Sequence, residues 1–74
     1  MTKMQARVLK FIRHFIGIHG YSPSLDEIAE GIGSYSGNVH GMLVKLAERG
    51  YLHKGRGWRN IRLIEGAGDV ARAA

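Results

Sequence analysis

Apolar residues recur along this chain at helical spacing three times and then at strand spacing. Between residues 3 and 19, Met4, Val8, Leu9, Ile12, Phe15, Ile16 and His19 fall on one broad helical face, and Lys3, Arg7, Lys10 and Arg13 fall largely on the other. Thr2 stands where an N-cap is needed, and Gly20 is the expected stop. A loop carrying the only proline, Pro23, follows. Ser24 and Glu27 have the spacing of a capping box, in which the serine hydroxyl takes the N3 amide and the glutamate reaches back. Behind them Leu25, Ile28, Ala29 and Ile32 recur at i, i+3, i+4 and i+7, which predicts a short second helix with Gly31 and Gly33 bracketing its end. A third helix is predicted from Val39, Met42, Leu43, Leu46 and Ala47, ending at Gly50 as its left-handed C′ residue.

The pattern then changes period. Residues 51–54 and 58–65 read as two strands around Gly55-Arg56-Gly57, a tight turn with glycines where positive φ is expected. Ile61 and Leu63 alternate with Asn60 and Arg62, so one face of the second strand is buried. Helix, short helix, helix and hairpin is the order of a winged helix-turn-helix, a mainly α fold with a small β-hairpin, expected over residues 1–65. Residues 66–74 are small and poor in apolar mass, and are expected to form a flexible tail or linker stub.

Length and composition narrow the class. Seventy-four residues suffice for one small domain, and with no cysteine neither disulfides nor thiolate metal sites can support its core. No apolar run approaches the roughly 18 residues that span a bilayer, so no membrane partner and a cytoplasmic location are expected. Eleven Lys and Arg against six Asp and Glu give a net charge of +5, which points to a polyanionic partner. The charge is also polarised. Arg49, Lys54, Arg56, Arg59 and Arg62 lie in a stretch without an acid, whereas Asp26, Glu27 and Glu30 cluster in the second helix.

The third helix poses a question of its own, because Gly37 and Gly41 both sit opposite its apolar stripe. Glycine inside a helix costs about 1 kcal/mol relative to alanine. On a helix lying in a DNA major groove, the same residue lets the backbone approach base edges closely. The neighbours fit that use. Asn38 can pair with adenine through two hydrogen bonds, and Ser34, Ser36 and His40 can bond base edges or phosphates. The helix N-terminus offers amides to a phosphate. Tyr35 and Lys45 complete the candidate surface on this helix, and Lys54, Arg56 and Arg59 supply cations from the hairpin. Trp58, beside Arg56 and Arg59, has two uses open to it: stacking on a base, or anchoring the hairpin against Tyr51 or the helices.

At these residues the chain resembles a known family. Ser22-Pro23-Ser24, Glu27-Ile28, Val39-His40-Gly41-Met42-Leu43, the turn from Leu46 to Leu52, and Arg59-Asn60-Ile61-Arg62-Leu63 together resemble the N-terminal DNA-binding domain of the LexA-type SOS repressors. The resemblance spans about residues 1–65. It implies a winged helix-turn-helix whose third helix reads operator DNA, with base or near-base roles for Ser36, Asn38, His40 and Gly41 and phosphate roles for the hairpin. The turn before Asn38 reads one residue shorter than the family pattern. That family continues into a Ser/Lys self-cleaving and dimerising domain, which these 74 residues do not include. The 74-residue chain is therefore expected to be a monomer in isolation and to pair, if at all, on adjacent DNA half-sites.

Enzymatic readings fare poorly. The four histidines, His14, His19, His40 and His53, lack the spacing of a helical metal site, and no glycine-rich phosphate loop is present. Too little chain remains to enclose a small-molecule substrate, so no catalytic residue, metal or cofactor is expected. The rival class is a winged helix that docks on another protein. It would need an exposed apolar patch on the third helix, where only Val44 stands out.

Overall fold

A computed structural model of the chain describes residues 2–55 and 59–64. It contains α1 at Lys3–His19, α2 at Leu25–Ile32, α3 at Ser36–Glu48, β1 at Leu52–Lys54 and β2 at Ile61–Leu63. The strands pair antiparallel, with Leu52 opposite Leu63, His53 opposite Arg62 and Lys54 opposite Ile61. Three helices followed by this hairpin make the mainly helical winged helix-turn-helix that the hydrophobic periods predict.

Local chemistry sets the helix ends. Thr2 caps α1 by accepting from the Gln5 N–H, and Gln5 returns the bond to the Thr2 N–H. Ser24 and Glu27 form the reciprocal box that starts α2. Gly33 ends α2 at φ 72, and the Ser34 N–H then donates to the Ala29 carbonyl, turning the chain toward α3. Gly50, at φ 82, makes the turn from α3 into β1. Both turns need left-handed backbone that a side chain resists.

The core gathers one stripe from each element. Val8 and Ile12 come from α1, Ile28, Ala29 and Ile32 from α2, Val39, Leu43 and Leu46 from α3, and Leu52 and Ile61 from the hairpin. Each large side chain among them contributes about 1.5–3 kcal/mol on leaving water. Because Val39, Leu43 and Leu46 all turn inward, the rotation of α3 is fixed, and its other face must meet solvent or a ligand.

Gly31 and Gly33 bracket the end of α2 at Ile32, as expected, and Gly31 has a packing role besides, because a Cβ there would overlap the Phe11 ring of α1. One expectation is corrected: the strands are shorter than predicted. The Gly55 N–H donates to the Asn60 carbonyl at 2.9 Å, and β2 starts only at Ile61. The expected turn residues Arg56 and Gly57, together with Trp58 and the expected tail from residue 66, lie outside the described residues.

Candidate nucleic-acid interface

The outward face of α3 is polar and, before Glu48, free of acids. Gly37, Asn38, His40, Gly41, Val44 and Lys45 are exposed, with Ser34 and Ser36 half-buried at the N-terminal end and Tyr35 standing out at 71% exposure. Unlike α1 and α2, α3 has no side-chain cap on its first amides: its N-cap residue is Tyr35. Those N–H groups, at the positive end of the helix dipole, suit a phosphate oxygen. The N-terminal turn of α1 lies alongside, so that Thr2 and Gln5 face Gly41 and Lys45 across an open groove.

Asn38 is held ready. Its Nδ2 donates to the Ser34 Oγ at 2.8 Å, one turn earlier. That bond uses one amide hydrogen and leaves the second, together with the carboxamide oxygen, for an adenine edge. Ser34 thus orients Asn38.

The two glycines of α3 differ. A Cβ at Gly41 would meet nothing within 4 Å, so the backbone there is open to a ligand. At Gly37 the space is taken by Tyr35, whose ring would lie 3.3 Å from such a Cβ. Gly37 therefore seats the tyrosine ring against the first turn of α3, and Gly41 alone offers bare backbone in the middle of the face.

The hairpin redistributes the predicted cations. Strand alternation turns His53 and Arg62, a directly opposed pair, to the outer side, while Lys54 shares the inner side with Leu52 and Ile61 and is half-buried. Its long stem lets the ammonium reach water from there. Neither His53 nor Arg62 was singled out as a contact from sequence, although the buried alternation of Ile61 and Leu63 already turns Arg62 outward. Arg56 and Trp58, expected on phosphates or bases, lie outside the described residues.

Arg59 departs most from expectation. Its guanidinium turns toward α2, where Nη1 and Nη2 donate to the two Glu27 carboxylate oxygens at 2.6 and 2.9 Å. Nη1 also donates to the Ser22 carbonyl, and the guanidinium stands 4.8 Å from the centre of the Tyr21 ring. The sequence displayed Glu27 only as a capping residue, and nothing in its spacing foretold a partner 32 positions away.

This pair has a pH signature. The Arg59 hydrogen bonds, and then the Ser24 N–H, hold the Glu27 carboxyl at about 2 instead of 4.5. A carboxyl depressed on folding stabilises the native state above its unfolded value, and that contribution is lost as pH falls through the folded value. Thermal melts should therefore show the chain losing stability between about pH 4.5 and pH 2. In Glu27→Gln that acid-dependent component should be absent, and an unchanged acid profile would contradict the ion pair.

The LexA DNA binding domain matches residues 1–57. The chain belongs to the LexA DNA-binding domain family. The LexA repressor of Pelotomaculum thermopropionicum is 49% identical over 55 residues, which is 73% of this chain and 27% of that protein. The LexA repressor of Staphylococcus haemolyticus is 40% identical over the same length, with the same shares covered. The chain thus spans about a quarter of the length of the curated LexA relatives it matches. The LexA match takes in α1 to α3 and β1, so the outward face of α3 lies wholly within it.

Proposed function

We propose that this domain binds double-stranded operator DNA sequence-specifically and acts as the DNA-reading part of a cytoplasmic transcriptional repressor. In this reading α3 enters the major groove. Asn38, His40 and Gly41 meet base edges, Ser36 and the uncapped amides of α3 meet a phosphate, and Lys45, Lys54 and Arg62 meet the flanking backbone. The observation that carries it is the outward face of α3, free of acids before Glu48, with Asn38 pre-oriented by Ser34 and bare backbone at Gly41. The repressor names of the relatives support the regulatory sense of the proposal. No helix among the described residues is long and apolar enough to cross a membrane.

Phosphate contacts release counterions, so binding must weaken steeply with salt. In an electrophoretic shift on mixed-sequence duplex, affinity should fall by about 0.9 log unit per log unit of salt for each phosphate engaged. Binding indifferent to salt would contradict the phosphate roles.

The reading also carries an assembly state: the 74-residue domain is a monomer when free and pairs only on adjacent half-sites. The exposed large apolar residues among those described, Ile18, Tyr21, Tyr35, Val44 and Ile64, belong to different elements rather than to one continuous helix face. A stable dimer in sedimentation of the free domain would overturn that part.

A further inference from the structure

We propose that Glu27 and Arg59 are positioning residues for DNA binding: their ion pair fixes β2 against α2, and so sets where the hairpin places Arg62 relative to α3. The two strands are attached to the helices differently. β1 follows α3 directly through Gly50, so its place is tied to that helix. β2 reaches the helical body through the short ladder to β1, the buried Ile61 side chain and the contacts made by residues 59–61.

Those contacts form one bonded unit. Arg59 grips Glu27 with both arms and also donates to the Ser22 carbonyl at 3.1 Å. The Ile61 N–H donates to the Ser22 Oγ at 3.0 Å, and that hydroxyl donates in turn to the Pro23 carbonyl. Tyr21 stacks under the guanidinium from the same loop. The start of β2, the loop before α2 and the first turn of α2 are therefore held together at a defined angle. A two-armed arginine–carboxylate contact constrains orientation as well as distance, which a single-point contact does not. Partial exposure limits its contribution to stability, so orientation is the larger effect.

The inference rests on the DNA-binding reading, and its sign separates it from the simple electrostatic alternative. Removing an acid from a DNA-binding protein ordinarily strengthens binding, and Glu27→Gln would also release Arg59 toward a phosphate. Positioning predicts the opposite. Glutamine keeps the α2 cap, because it serves at the same capping-box position. Arg59→Lys keeps the charge and removes the two-armed geometry.

On a mixed-sequence duplex, Glu27→Gln and Arg59→Lys should each weaken binding about fivefold to tenfold and lower the salt slope by about 1. The double variant should be no weaker than the worse single one. Glu27→Gln binding as tightly as the parent, or more tightly, overturns the proposal. Hydrogen exchange on the free protein tests the clamp without DNA. The Ile61 and Gly55 amides should exchange at least about tenfold faster in Glu27→Gln, while Val8 and Ile12 stay protected. Unchanged hairpin amides overturn the proposal whatever the DNA result. A parent that binds no duplex overturns instead the DNA-binding reading.

Discussion

Gly31→Ala is expected to lower stability by up to about 2 kcal/mol, although alanine is the better helix former. The methyl would overlap the Phe11 ring, which lies across α2 from α1, so the ring or the helix pair must move. Overpacking of this kind costs about 1–3 kcal/mol, against a propensity gain of about 1 kcal/mol. For a domain of this length the melting temperature should fall by up to roughly 15 °C. Gly41→Ala provides the contrast, because nothing stands within 4 Å of the added methyl. It should stabilise the fold by up to about 1 kcal/mol and yet weaken specific DNA binding, since the methyl would come between backbone and base. Thermal melts of the two variants, with Gly31→Ala also combined with Phe11→Leu to relieve the overlap, check both signs. A Gly41→Ala variant that is more stable and binds as well as the parent would show that glycine to be incidental.

Asn38→Ala is expected to cost about 1–3 kcal/mol on the preferred operator and little on mixed-sequence DNA. Asn38 is exposed, and its only described side-chain hydrogen bond is the one to Ser34 at the surface, so the fold should survive its removal. The expected loss is confined to the operator because a carboxamide discriminates bases, whereas cations on phosphates bind all sequences alike. Paired titrations on the two duplexes separate these outcomes. Equal losses on both would remove Asn38 from base reading and leave it a general contact.

The fold was legible in the sequence where local chemistry decides it. Ser24 and Glu27 announced the start of α2, and Gly50 announced the turn into the hairpin, because both act within a few residues of themselves. The rotation of α3 followed from Val39, Leu43 and Leu46, and with it the exposure of Asn38, His40 and Gly41. What stayed hidden depends on residues far apart in the chain. Gly31 was legible only as a glycine beside the end of α2, since nothing nearby in the sequence reveals that Phe11 crosses it. Gly37 and Gly41 looked equivalent, and only the placement of the Tyr35 ring divides them. Arg59 looked like one more cation in a basic stretch. Charge counting cannot tell an arginine aimed at phosphate from one held by a carboxylate of a preceding helix.

The central claim is that the outward face of α3 reads base sequence. It is tested most directly by selecting binding sites for the parent chain from a random duplex pool. One enriched motif is the predicted result, with the corresponding Asn38→Ala selection losing information at a single base pair of it. Enrichment of no motif, with binding governed by salt alone, would contradict the claim and leave a basic domain that grips any duplex.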